Sequence, residues 1–239
     1  ELYQSGNIKI EDRIISDWNK IGWGKITFDY GFEMSSNVAV SNIMQRFLTK
    51  EDLKTCLNNY GFGNKTGIDL PRELSGTIKF EFPVEVAAAA YGQGISTTPI
   101  QQLQALSIIA NNGKMLKPHI ISKIVDPNTG KVTYERKVEE SSQIVSEAAI
   151  KKIQELMYNT VNDVERNATG VKYRVEGASI MGKTGTAEIF DNQSNTYLTG
   201  CNDYIFSFSG IFPSDDPQYI VFVSIKKPNT GTNAAVVDT

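Results

Sequence analysis

Tyr204-Ile205-Phe206-Ser207-Phe208-Ser209-Gly210-Ile211-Phe212 sets aromatic residues against small ones at a spacing of two, until Pro213-Ser214-Asp215-Asp216-Pro217 breaks the pattern. A second β-branched and aromatic run, Tyr219 to Lys227, follows at once. Two such runs on either side of a short turn read as adjacent antiparallel strands. Upstream, Val175 to Ile189 reads as a further extended stretch, so the chain is expected to end in an antiparallel meander.

The residues before the meander carry the helical period instead. Ser36 to Leu48 places Val38, Val40, Ile43, Met44 and Phe47 largely on one face, and Glu51 to Tyr60 continues as a second short helix, broken by Gly61, Gly63 and Gly67. Thr98-Pro99 is an N-cap and first-turn pair, and Ile100, Leu103, Leu106 and Ile109 form a stripe ending at Asn112-Gly113. His119 to Asp126 and Lys131 to Lys137 flank Pro127-Asn128-Thr129-Gly130 as a hairpin. Ser146 caps another helix, with Val145 and Ile150 placed as a hydrophobic staple and Ile153, Met157 and Val161 extending its stripe. Helices first and strands last imply an α+β arrangement, an antiparallel sheet flanked by helices.

With 239 residues, 40% of them apolar, and no repeat or low-complexity linker, one globular unit is expected. A formal charge of -3 without a basic run is the wrong footprint for gripping nucleic acid. No apolar run approaches the roughly 20 residues of a membrane helix. Cys56 and Cys201 have no metal spacing and read as two free thiols. His119 is the single histidine, so a His-based metal cluster is impossible, and its place after Pro118 suggests a surface role. Acyl-transfer chemistry in this chain would therefore use lysine as its proton carrier, with a pKa lowered by burial or a neighbouring cation.

The strongest local signal is Gly182-Lys183-Thr184-Gly185-Thr186-Ala187-Glu188 within an extended stretch. A K-T-G triplet on a strand edge offers a cation, a hydroxyl and bare backbone in a row, along which a carboxylate-bearing substrate can lie. Lys65-Thr66-Gly67 repeats the triplet, but its flanking glycines and Pro71 make it a loop. Gly177 to Thr184 also satisfies the phosphate-loop pattern G-x-x-x-x-G-K-T. That motif needs a helix starting at the lysine, and Gly185 is poor for a first turn. Ser35-Ser36-Asn37 alone reads as an N-cap; beside a strand-borne K-T-G it supplies the S-x-N element of the serine acyl-transferases.

With these two motifs the chain resembles the class B penicillin-binding proteins along nearly its whole length. Ser16-Asp17-Trp18-Asn19, Tyr60 to Leu70, Tyr91-Gly92-Gln93-Gly94-Ile95 with Thr98-Pro99, and Tyr204 to Pro213 are similar to ordered segments of that family. The resemblance implies the penicillin-binding protein/serine β-lactamase-like fold and a D,D-transpeptidase that cross-links peptidoglycan stem peptides through a serine acyl-enzyme, without a cofactor. It implies D-Ala-D-Ala stem peptides and β-lactams as ligands, other cell-wall synthesis proteins as partners, and a membrane anchor holding the domain on the extracytoplasmic face. By motif match, Ser35, Asn37 and Lys183 would be catalytic, while Thr184, Gly185, Thr186 and Trp18 would bind substrate, the Thr186 N–H as half of an oxyanion hole. The family's S-x-x-K element, source of nucleophile and base, is expected upstream of Glu1, and its closing helix beyond Thr239. Residues 1–239 are thus expected to be a partial transpeptidase domain. A non-catalytic penicillin- or peptide-binding sensor on the same frame is the competing expectation.

Overall fold

The computed structural model of the chain describes residues 1–191, 193–200 and 202–228. Strand β1 (Leu2–Gln4) pairs with β4 (Lys25–Thr27), and between them lies the hairpin of β2 (Asn7–Ile10) and β3 (Arg13–Ser16). Helices α1 (Phe28–Glu33), α2 (Asn37–Phe47), α3 (Lys50–Asn59), α4 (Pro83–Ala90) and α5 (Pro99–Ala110) follow. Next come β5 (Lys114–Leu116), the hairpin of β6 (Lys123–Val125) and β7 (Val132–Glu135), and β8 (Glu140–Gln143), which returns to pair with β5. Helix α6 (Glu147–Asn162) leads to β9 (Met181–Glu188), the small hairpin of β10 (Phe190–Asp191) and β11 (Thr196–Tyr197), then β12 (Tyr204–Phe212) and β13 (Tyr219–Lys226).

The C-terminal meander forms as the alternation requires. β12 lies between β9 and β13, antiparallel to both, with Gly182 opposite Gly210 and Thr186 opposite Phe206. Helices α5 and α6 cover one face: Met157, Met181 and Ile211 are buried together, with Phe32, Leu106, Ile109, Ile153 and Ile220 packed around them. Full burial of each such side chain contributes about 1.5–3 kcal/mol. A second group of elements packs around α2, where Val38 and Ala39 meet Tyr3, and Met44 meets Leu53, Phe80 and Val86. Ala87 of α4 closes on Ile10 and Ile15 of the first hairpin. Helix α1 joins the two groups.

Several sequence expectations need correction. Val175 to Ile180 is not strand: a 3-10 turn at Val171–Tyr173 and a second turn, with the Ala178 N–H on the Val175 carbonyl at 3.2 Å, delay β9 until Met181. Helices α1 and α4 add to the elements that the sequence pattern predicts. The stripe of α5 does reach the core through Leu106 and Ile109, but the helix is buried on a polar side as well. There Gln101 donates to the carbonyls of Asn64 and Ser75 at 2.7 and 2.8 Å, stitching down a long loop. Phe47, assigned to the buried face of α2, is exposed at its last turn. Cys56 is a free thiol. Cys201 lies outside the described residues.

Candidate active site

The site begins where α1 ends. The Ser35 N–H bonds the Phe32 carbonyl at 3.0 Å and the Ser36 N–H bonds the Gly31 carbonyl at 2.8 Å, a Schellman closure. It holds Ser35 at φ +55, a left-handed position that glycine usually fills and that strains an L-residue by about 1–2 kcal/mol. Ser36, not Ser35, is the N-cap of α2. Its Oγ accepts the Ala39 N–H at 3.0 Å and donates to Asp17 at 2.7 Å. The Asp17 carboxylate is fully buried and also accepts the N–H groups of Gly6 at 2.8 Å and Val38 at 3.1 Å. Capping by Ser36 leaves the Ser35 hydroxyl on the cleft side, where Lys183 and Thr169 meet it.

Asn37, the first residue of α2, donates to the Ser16 carbonyl at 3.1 Å. Trp18 is largely exposed and donates from Nε1 to the Met34 carbonyl at 2.9 Å, which fixes its ring beside Ser35. Trp23 meets it edge-on at 5.9 Å.

Lys183 enters from β9 on the same face as buried Met181, two residues earlier. Its ammonium donates to Ser35 Oγ and lies 5.7 Å from the centre of the Phe32 ring. No carboxylate pairs with it among the described residues, and burial pushes its pKa down to about 8. Thr184 donates from Oγ1 to Thr169 Oγ1 at 3.0 Å, and Thr169 lies 3.2 Å from Ser35 Oγ.

The glycines of the motif answer to β12. A Cβ on Gly182 would fall 2.5 Å from the Phe208 ring, and one on Gly185 would fall 2.6 Å from Ser207 Oγ. Beyond them, Gln93 reaches over from the turn after α4, donating to the Thr186 carbonyl at 3.2 Å and accepting the Glu188 N–H at 3.4 Å. The Thr186 carbonyl therefore faces away from β12, and its N–H shares that open edge.

The rival motifs dissolve in place. Gly182, Lys183 and Thr184 lie inside β9 with no helix starting at the lysine, so the phosphate-loop reading fails. The second triplet is a loop whose Thr66 and Gly67 N–H groups are held by the Glu73 carboxylate at 2.6 and 3.1 Å. His119 is exposed ahead of β6. One S-x-x-K spacing does occur, Ser224-Ile225-Lys226-Lys227, but at the C-terminal end of β13, where residues three apart point to opposite faces. Lys227 is bound to Asp203 at 2.9 Å.

Two residues of the site had no sequence signal. Thr169 joins Ser35 to Thr184, and fully buried Glu33 accepts from Arg166 at 3.1 and 3.4 Å and from Asn159 at 3.4 Å beneath them.

Residues 1–238 match the family model for the penicillin-binding protein transpeptidase domain. The chain belongs to this family. Stage V sporulation protein D of Bacillus subtilis is 35% identical over 95% of the chain and 34% of that protein. PbpB of Mycolicibacterium smegmatis is 29% identical over 85% of the chain and 32% of that protein. The transpeptidase domain thus spans about a third of the length of these curated relatives. Penicillin-binding protein 2X from Streptococcus thermophilus superposes with a TM-score of 0.86 at 30% identity, covering 98% of this chain and 35% of that one. Penicillin-binding protein 3 from Mycobacterium tuberculosis, solved with aztreonam, superposes with a TM-score of 0.85 at 27% identity, covering 96% of this chain and 52% of that one. The expected α+β penicillin-binding fold is therefore the fold of this domain. No helix among the described residues is long and apolar enough to cross a membrane.

Proposed function

We propose that this chain is the larger, C-terminal part of a D,D-transpeptidase that cross-links peptidoglycan stem peptides. The observation that carries the reading is the contact of Lys183 with Ser35, which joins S-x-N to K-T-G across 148 residues of sequence. In this reading a serine from an S-x-x-K element outside residues 1–239 attacks the penultimate D-Ala carbonyl. The carbonyl carbon gains a bond to the serine oxygen and loses its bond to the terminal D-Ala nitrogen, which leaves with a proton relayed by Ser35. An amine of a second stem peptide then attacks the ester, and the serine recovers its proton.

Position supports the remaining roles. Thr184 and Thr186 receive the substrate carboxylate along the open edge of β9, with Gly185 leaving room between them. The Thr186 N–H points along that edge and stabilises the oxyanion. Asn37 bonds the base lysine of that S-x-x-K element and a substrate amide, Trp18 borders the cleft, and the Lys183 cation supplies the local field. β-Lactams take the donor's place, in line with the aztreonam and ampicillin complexes of the mycobacterial relative. An anchor outside these residues holds the domain on the extracytoplasmic face.

Intact mass after incubation with a penicillin tests this, run on residues 1–239 and on a longer polypeptide extended upstream. An adduct of one penicillin on the longer polypeptide alone is expected. An adduct on residues 1–239 would misplace the nucleophile, and none on either would favour the non-catalytic binding module.

A further inference from the structure

We infer that Thr169 is a positioning residue that fixes where the hydroxyl hydrogens of Ser35 and Thr184 point. A threonine hydroxyl has one hydrogen to donate and two lone pairs to accept with. Thr169 Oγ1 is 3.0 Å from the Glu33 carbonyl, which can only accept, so the single hydrogen is committed there. Its other two neighbours, Thr184 Oγ1 at 3.0 Å and Ser35 Oγ at 3.2 Å, must therefore both donate to it. That leaves the lone pairs of Ser35 facing the Lys183 ammonium, the polarity that the Lys183–Ser35 contact requires.

The backbone that holds Thr169 is itself tied on both sides. Its N–H lies 3.3 Å from the same Glu33 carbonyl, and Ala168 before it is buried. Gly170 after it donates to the Thr160 carbonyl of α6 at 3.1 Å and sits so close that a Cβ would fall 2.9 Å from that oxygen. The end of α1 and strand β9 thus meet at one hydroxyl, on a segment tied to the end of α6 through Gly170. It touches neither a substrate atom nor the nucleophile in the proposed reaction, and acts through Ser35 and Thr184: it holds their hydrogens in the resting site, from which they turn to the leaving nitrogen and the substrate carboxylate, a Lys183 proton replacing the one that Ser35 gives up.

The effect on catalysis rests on the transpeptidase reading, whereas the effect on the two hydroxyls does not. Thr169→Val keeps the shape and removes the oxygen; Thr169→Ser keeps the oxygen. In the full-length protein, Thr169→Val is expected to slow acylation by a penicillin at least 10-fold, with Thr169→Ser within about 3-fold of wild type. Freed from Thr169, the Ser35 hydrogen can turn to a neutral Lys183 amine, so the basic limb of the acylation profile should move to lower pH in the valine variant. A general loss of packing would not move that limb. Unchanged rate and limb in Thr169→Val, or a serine variant as slow as the valine one, would overturn the inference. A crystal structure of Thr169→Val decides it separately: displaced Ser35 and Thr184 hydroxyls support it, and unmoved ones sink it. Should wild type form no adduct, the transpeptidase reading falls while the crystal structure still judges Thr169.

Discussion

Lys183 Nζ and Ser35 Oγ are hydrogen-bonded across 148 residues of sequence, the lysine held by the central sheet and the serine by the junction of α1 and α2. The contact sets a charge beside a hydroxyl in surroundings that burial has made poor for charge. Lys183→Ala in the full-length protein is expected to lower penicillin acylation about 100-fold or more. A rate within a few-fold of wild type would remove Lys183 from the mechanism.

The same burial gives the site a pH signature. With the Lys183 pKa near 8, the ammonium is present below that pH and lost above it. Acylation by a carboxylate-bearing penicillin should fall as pH rises through about 8, and Lys183→Ala should lack this limb. For stability the sign is opposite to that of a stabilised lysine. The cost of burying the charge is fully present below pH 8 and is relieved between about 8 and the ordinary lysine value near 10.5, where the unfolded chain binds more protons. Denaturant midpoints across that window should show a rising contribution that the alanine variant lacks.

The left-handed backbone of Ser35 separates stability from function. Ser35→Gly and Ser35→Ala both delete the hydroxyl, but only glycine relaxes at φ +55. The glycine variant should be the more stable of the two by about 1 kcal/mol in chemical denaturation, and both should lose acylation. Equal stability would show that this position carries no strain.

Why some of the site was legible and some was not follows from how local each determinant is. Caps, strand alternation and the K-T-G triplet are written in adjacent residues, so α6, β12, β13 and Lys183 could be placed from the sequence. Which of Ser35 and Ser36 caps α2 depends on buried Asp17, which accepts from Ser36 and whose position no spacing rule gives. Thr169 is invisible for the same reason, because its three partners come from separate segments. The polar buried side of α5 escapes a reading based on apolar stripes, since Gln101 is buried to satisfy loop backbone. Ser224 and Lys227 show the converse: a motif spacing without the helix that gives it meaning.

Asp17 is the strongest purely structural determinant of the site. Its carboxylate satisfies two backbone N–H groups and the Ser36 hydroxyl inside a fully buried setting. Asp17→Ala leaves those donors without acceptors and is expected to destabilise the fold by about 2–4 kcal/mol in urea unfolding. A loss under about 0.5 kcal/mol would mean that the first hairpin and α2 are held together by packing alone.

Gln93 deals with a different problem, the open edge of β9. An unpaired strand edge invites pairing with any extended chain, and its peptide groups need partners. The Gln93 amide meets the Thr186 carbonyl and the Glu188 N–H as a neighbouring strand's peptide group would, so it closes the edge from the Thr186 carbonyl onward and leaves the Thr186 N–H open. On the Thr184 side no strand covers the edge among the described residues, although the Thr184 carbonyl accepts from the Lys183 ammonium at 3.2 Å; an extended peptide would add there as a strand. Gln93→Ala should speed hydrogen exchange at the Glu188 amide about 10-fold while leaving β12 amides unchanged, and should slow acylation by a few-fold through a looser Thr186. Unaltered Glu188 exchange would mean that the edge is protected by something other than this side chain, and the limit it sets on the substrate strand would fall with it.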